Sequence, residues 1–176
     1  MRIIIYFYKF YNKYDLIWIW KCYEAFDFIL SRKKKKKPTL FHSLRVGAYL
    51  WNNWYSEDIQ IAGLLHDSLE DTDMPEKIIS ENFWLVVLNL VKANSKNKTL
   101  DKSEVLEDIV KRCSIIWENA MIVKIADVYD NFLFYKKENY ISEIERCKRL
   151  SLLIKKYKKD EWKDKIFNVL KEINNY

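Results

Sequence analysis

The run Leu64-Leu65-His66-Asp67-Ser68-Leu69-Glu70-Asp71-Thr72-Asp73 joins an apolar approach to a block of metal-ligand and acid–base residues. If it is helical, 3.6 residues per turn sets His66 beside Glu70 and Asp67 beside Asp71, which gathers imidazole and carboxylates on one face. A solvated acidic helix end would account for Glu70 and Asp71 alone. It does not account for His66-Asp67, because Ala62-Gly63-Leu64-Leu65 reads as core, and a charged pair leaving a core needs partners. The chain has only two histidines, so the search for partners is short. His42 follows Pro38-Thr39-Leu40-Phe41 and precedes an apolar stripe at Val46, Tyr49 and Leu50, which places it near a helix start. Ile122-Val123-Lys124-Ile125-Ala126-Asp127 is a further apolar helix delivering a carboxylate. The set is therefore His42, His66, Asp67 and Asp127. Two imidazoles and two carboxylates offer a divalent ion mixed nitrogen and oxygen coordination, neutralise its charge and leave positions open for water and substrate. Manganese, iron or zinc would fit. Glu70 and Asp71, one turn on, are close enough to orient that water or protonate a leaving oxygen.

The elements that must position these residues are helices. Two glycines and two prolines leave no material for a Gly-rich phosphate loop or many tight turns, and the Rossmann and Walker signatures are absent. This excludes the usual kinases, GTPases and dehydrogenases. Asp73 and Pro75 mark a new helix start, followed by a stripe of Ile78, Ile79, Phe83, Val86, Val87, Leu90 and Val91. Asn94-Ser95-Lys96-Asn97-Lys98 reads as a loop. Val105, Leu106, Ile109, Val110, Cys113, Ile116 and Trp117 recur at helical spacing as core. Leu150, Leu153, Ile154 and Tyr157 repeat that logic, as do Trp162, Ile166, Val169, Leu170 and Ile173. No strand-like alternation is sustained. A chain of 176 residues suffices for one domain. The expected architecture is a single all-α helical bundle over 21–176, preceded by an aromatic extension over 1–20. That extension reads as a helix packed on the domain or on a second subunit, which would make a homo-oligomer; membrane-surface attachment is the weaker alternative.

Cys22, Cys113 and Cys147 lack paired spacing, so neither a zinc site nor a disulfide framework is expected, and a reduced cytoplasmic setting is the simplest inference. No leader and no membrane span is read from the sequence. The net charge of +6 would suit a polyanionic ligand, although biased composition rich in Lys, Ile and Asn explains it as well. Its distribution says more: six basic residues in a row, Arg32 to Lys37, precede His42 and would draw phosphates electrostatically, unless they form a solvated loop or an import patch.

The H…HD…D pattern resembles that of the HD-domain phosphohydrolases. Within them the chain looks most like the alarmone hydrolases, the hydrolase domain of RelA/SpoT homologues and its small stand-alone Mesh-type relatives. The likeness is carried by Arg32-Lys33 ahead of Pro38-Thr39-Leu40-Phe41-His42, by Ala62 through Thr72, by Lys124-Ile125-Ala126-Asp127 through Asn131, and by Asn97-Lys98-Thr99-Leu100. It runs from about Glu24 to the region of Lys156. The resemblance implies an HD-type bundle and manganese at His42, His66, Asp67 and Asp127. It gives Glu70 and Asp71 catalytic roles, and makes Arg32, Lys33, Lys98 and Asn131 the contacts to a phosphorylated nucleotide. For Lys98 a solvated loop lysine, and for Asn131 a helix C-cap, remain the alternatives. The implied reaction is removal of the 3′-pyrophosphate of ppGpp to give GDP and pyrophosphate, by a stand-alone hydrolase with no synthetase-like segment following it. An HD phosphatase for another nucleotide or dinucleotide cofactor, or a binding module with a vestigial metal site, are the alternatives; neither nucleic acid nor membrane is an expected partner. Phe83-Trp84 departs from the usual Phe-Gly, Val128 from a basic residue, and Cys147 lies where a substrate-contacting tyrosine is expected.

Overall fold

A computed structural model describes residues 39–176 apart from positions 73 and 102. The chain divides into two compact units, Met1–Phe41 and His42–Tyr176, and the second holds the helices that matter for the site. The expected boundary at 20/21, Arg32 and Lys33, and Asp73 lie outside the described residues. In chain order the helices are α1 (Thr39–Asn52), α2 (Glu57–Leu65), the single turn α3 (Ser68–Asp71), α4 (Glu76–Asn94), α5 (Val105–Ile116), α6 (Glu118–Lys137), α7 (Ile141–Tyr157) and α8 (Val169–Asn175). A 3₁₀ turn, Lys165–Asn168, leads into α8. There is no strand among the described residues, in keeping with the all-α expectation.

Helix α6 forms the axis of this unit. Ala120 through Val128 are all buried, including Lys124 and Asp127, because α2, α4, α5, α7 and α8 each pack on it. A helix apolar on every side belongs in a core. The two polar residues inside that stretch must then be satisfied there, and this is where the site forms.

Helices α1 and α2 cross at the chain's two glycines. A Cβ on Gly63 would run into Leu50 Cδ1 and come within 3.3 Å of Val46 Cγ1; one on Gly47 would meet Leu64 Cγ and Cδ2 at 2.5 Å. Gly63 and Gly47 Cα are close enough that a Gly63 Cβ would lie 3.7 Å from the opposing backbone. Both glycines therefore serve close helix approach, and the helices they bring together carry His42 and end at His66.

Helix α4 departs from its expected stripe. Phe83 (φ −136°, ψ 15°) and Trp84 (φ 67°, ψ 160°) break it, and beyond the break Val87, Leu88, Leu90 and Val91 are buried while Leu85 and Val86 face solvent. Its N-cap is Pro75, so the proline stands just outside the helix and not in the first turn. The helix also runs through Asn94, expected in the loop; the buried Asn94 amide donates to Leu90 O and Ala120 O. In α5 the core positions Ile109, Val110 and Cys113 are buried as expected, whereas Ile116 and Trp117 are exposed where the chain turns into α6.

Candidate metal centre and acid–base site

His42 sits in the first turn of α1, Asp127 midway along α6, and His66-Asp67 in the break between α2 and α3. The expectation of one continuous helix through His66 and Asp71 is corrected here. Helix α2 ends at Leu65, and a fresh turn starts from Asp67, whose carbonyl accepts from the amides of Glu70 (3.1 Å) and Asp71 (2.9 Å). The break lets His66 stay in the core while Asp67 turns to a partly open position.

The four side chains expected to form the set converge. His42 Nε2 lies 3.1 Å from His66 Nε2, 2.9 Å from Asp127 Oδ1 and 3.8 Å from Asp67 Oδ2. His66 Nε2 lies 3.2 Å from Asp67 Oδ2 and 3.7 Å from Asp127 Oδ1. One donor atom from each of His42, His66 and Asp67 is within 4.8 Å of the others. Two ligand atoms about 2.1 Å from one ion and at right angles to each other stand roughly 3 Å apart, so the spacing fits a shared divalent cation.

The imidazoles are oriented from behind. His66 Nδ1 donates to Gly63 O (2.8 Å), and His42 Nδ1 pairs with Asp130 Oδ2 (2.6 Å). With both Nδ1 atoms acting as donors, both Nε2 atoms face the centre, where at most one proton could lie between two nitrogens 3.1 Å apart. Such a convergence of donor atoms calls for a cation. Burial alone would push His66 down, but Asp67 and Asp127 outweigh it and raise its pKa to about 10. Burial likewise opposes ionisation of Asp67, yet His66 pulls its carboxyl to about 2. At Asp127 burial is overcome by Lys124 and the two imidazoles, which hold the carboxyl well below the usual range. Lys124 Nζ is 2.8 Å from Asp127 Oδ2, and this buried contact raises the lysine despite its burial. Asp67 and Asp127 bring two negative charges against the ammonium of Lys124 and the protonated His66, so the metal-free centre is balanced and a cation would enter by displacing the His66 proton. The residues present fit a divalent metal.

Glu70 and Asp71 follow on α3. Both Glu70 oxygens are engaged by Lys96 from the Ser95–Leu100 loop, through its backbone amide (2.5 Å) and its Nζ (2.6 Å). Asp71 is exposed; its own partial burial, then Asp67 and Glu70, raise its carboxyl above the ordinary range. A carboxyl raised by burial and by neighbouring carboxylates holds a proton more readily than an ordinary one, which suits an acid–base role. Beside them Ser68 Oγ is buried without a hydrogen-bond partner.

Of the expected substrate contacts, Asn131 lies within α6, not at its end, so the C-cap alternative fails. Its amide donates to Asp127 O (3.0 Å) and Asp127 Oδ1 (2.6 Å), which orients the carboxylate. Lys98 is exposed on the loop, and it is Lys96 that reaches the acid pair. Cys147 is buried, as is Cys113. Residues the sequence reading passed over are Lys96, Asp130 and Arg45. For the last two a signal existed: Arg45 is three residues after His42 and Asp130 three after Asp127, one turn along the same helix faces.

A bundle whose core meets at two histidines and two aspartates in the order H…HD…D is the arrangement of a metal-dependent HD domain, and the HD domain family model matches residues 17–138. The chain belongs to the HD domain family. Among its relatives is the guanosine-3′,5′-bis(diphosphate) 3′-pyrophosphohydrolase of Aquifex aeolicus (strain VF5), 34% identical over 104 residues, covering 57% of this chain and 15% of that protein. A second is the guanosine-3′,5′-bis(diphosphate) 3′-pyrophosphohydrolase MESH1 of Mus musculus, 30% identical over 113 residues, covering 59% of this chain and 63% of that one. The chain thus spans less than two thirds of the length of each. Two solved structures share the fold. One is a Listeria monocytogenes EGD-e protein (TM-score 0.65, 24% identity, 76% of this chain and 91% of that one). The other is a metazoan SpoT orthologue described as hydrolysing ppGpp (TM-score 0.66, 21% identity, 94% and 97%). No described helix is long and apolar enough to cross a membrane.

Proposed function

We propose that this chain is a manganese-dependent cytoplasmic phosphohydrolase that removes the 3′-pyrophosphate of guanosine alarmones such as ppGpp. The observation that carries the reaction class is the convergence of His42, His66, Asp67 and Asp127 on one point with the Glu70–Asp71 pair a turn away. The two pyrophosphohydrolases to which the sequence is similar support the substrate.

His42, His66, Asp67 and Asp127 would hold the ion. A bound divalent cation supplies Lewis-acid charge that acidifies water and screens the phosphates. The chain's own residues do the rest. Asn131 and Lys124 keep the Asp127 carboxylate in place. Asp71, exposed and raised, and Glu70, once Lys96 yields one of its oxygens, exchange protons with the reactants. One carboxylate takes a proton from water as its oxygen joins the phosphorus next to the ribose. The bond from that phosphorus to the ribose 3′ oxygen breaks, the 3′ oxygen takes a proton from the other carboxyl, and GDP and pyrophosphate separate. Arg32, Lys33, Lys98 and Asn131 are assigned to binding the nucleotide and its phosphates.

Purified protein incubated with manganese and a nucleotide panel tests this. GDP and pyrophosphate should form from ppGpp faster than any product from mononucleotides, and Arg32→Glu with Lys33→Glu should raise KM more than it lowers kcat. Orthophosphate as the main product, or preference for deoxynucleotides, would move another HD phosphatase activity ahead of this one.

A further inference from the structure

Behind His42 stands a cluster that neither ligates nor transfers protons in the scheme above. Asp130 Oδ2 is 2.6 Å from His42 Nδ1, and the same carboxylate is gripped by Arg45 through Nε to Oδ1 (2.7 Å) and Nη2 to Oδ2 (3.1 Å). The guanidinium fork engages both oxygens at once, so the carboxylate has little freedom to rotate away from the imidazole. Each partner lies three residues along its helix from a site residue, Arg45 from His42 on α1 and Asp130 from Asp127 on α6. Helix α1 therefore presents a histidine and its brace, and α6 presents an aspartate for the centre and one for the brace.

We infer that Asp130, held by Arg45, is the positioning residue that fixes the Nδ1–H tautomer of His42, aims its Nε2 at the centre and so sets the affinity for the ion. This rests on the reading of His42 as a ligand. A neutral imidazole without a fixed acceptor divides between two tautomers, and only one leaves Nε2 free for a cation. The ring can also turn about χ2. Asp130 removes both freedoms with one hydrogen bond, and its negative charge strengthens the imidazole as a donor. His66 does not have this arrangement, since its Nδ1 is satisfied by the Gly63 carbonyl. The two imidazoles are therefore unequal, and the one with the carboxylate partner is the one open to tuning through a side chain.

The test compares wild type, Asp130→Asn and Asp130→Ala by titration calorimetry with Mn²⁺, with thermal melts to check that each is folded. Asp130→Ala should bind Mn²⁺ roughly 10–100-fold more weakly, the range for loss of a carboxylate behind a ligating histidine. Asp130→Asn, whose amide oxygen can still accept from Nδ1–H, should fall between it and wild type. The chain has two histidines, so proton–nitrogen correlation spectra of the Zn²⁺-loaded protein show both rings. The His42 Nδ1–H signal should persist in wild type and in Asp130→Asn and be lost to exchange in Asp130→Ala. An Asp130→Ala protein that binds Mn²⁺ within about twofold of wild type and keeps that signal would overturn the inference alone. Wild type that takes up no Mn²⁺ and no Zn²⁺ would overturn the ligand reading beneath it.

Discussion

Replacing Asp127 by alanine should unfold the metal-free protein more easily, and the reason is Lys124 more than the centre itself. Lys124 is 8% exposed in its side chain and its ammonium group sits 2.8 Å from Asp127 Oδ2. Removing the carboxylate strands a buried positive charge, and breaking a buried pair from one side costs about 3–5 kcal/mol. Asp67 remains near enough to attract the ammonium, so the lower end, about 3 kcal/mol, is expected. For a chain of this size each kcal/mol moves Tm by about 2–4 °C, which gives a drop of roughly 6–12 °C. Urea unfolding at pH 7 in chelator measures it. The double variant Asp127→Ala, Lys124→Met should recover most of the loss, because both charges then leave the core. The sign with pH follows from both partners. Asp127 is depressed when folded, so its contribution is present above the ordinary carboxylate pKa and is lost as pH falls through its lower folded value. Lys124 is raised when folded, so its contribution is present below the ordinary lysine pKa and is lost as pH rises through the folded one. The gap between wild type and Asp127→Ala should therefore be flat across neutral pH and close in strong acid. A loss below about 1 kcal/mol, or a double variant as weak as the single, would refute the reasoning.

Glu70→Gln should retain Mn²⁺ binding and lose on the order of a hundredfold or more in kcat, since in the proposed scheme it removes an acid–base group and no ligand; loss of metal together with turnover would show that Glu70 acts otherwise. Gly63→Ala should destabilise more than Gly47→Ala. The added methyl at 63 meets fully buried Leu50 and Val46, a clash on the order of 1–3 kcal/mol that exceeds the roughly 1 kcal/mol helical gain of alanine. At 47 it meets Leu64, which is partly exposed and can turn aside; equal melting temperatures for the two variants would speak against the close crossing. Binding of Mn²⁺ at pH 7 should release about one proton per ion, because His66, raised to about 10 without metal, must give up its Nε2 proton if it is the ligand proposed. By the same shift, the metal-free protein gains stability from His66 below pH 6.5 and loses it as pH rises through about 10. Calorimetry in buffers of different ionisation enthalpy that finds no proton release would contradict a protonated His66.

The helices and the convergent set were legible because they rest on local signals. Apolar periodicity marks α1, α4, α5, α6 and α7, and with two histidines in the chain few ways existed to assemble a His and Asp centre. What spacing could not supply is which of two equivalent neighbours a fold selects. Lys96 and Lys98 share one loop and one charge, yet only Lys96 is turned onto Glu70, because the end of α4 at Asn94 is fixed by the Asn94 amide reaching Ala120 O. Likewise the helical face joining His66 to Glu70 reads well from spacing, but the break at His66-Asp67 depends on α3 meeting α4, a contact of tertiary origin. Asp130 and Arg45 were visible only as a pair of helix-turn offsets on separate elements, and their meeting depends on the α1–α6 packing that the His42–Asp127 contact reveals.

Trp84 shows the fold prevailing over the residue it was given. Its φ of 67° and ψ of 160° lie in a region suited to glycine, costing a side-chain-bearing residue on the order of 1–3 kcal/mol. Glycine is what the family resemblance leads one to expect at this position. The tryptophan does not hold itself there by packing, since it is 57% exposed. The neighbours supply the reason. In an unbroken helix the stripe that starts at Ile79 would return near Val86, seven residues on, but Val86 is half exposed and Val87 is buried. The break advances the buried stripe by one residue, so that Val87, Leu88, Leu90 and Val91 face inward where α4 lies against α2, α5 and α6. Burying those side chains stabilises by about 1.5–3 kcal/mol each, several times the local strain. The kink is thus imposed by the packing on both sides of it, and position 84 takes a backbone suited to glycine although it carries a tryptophan.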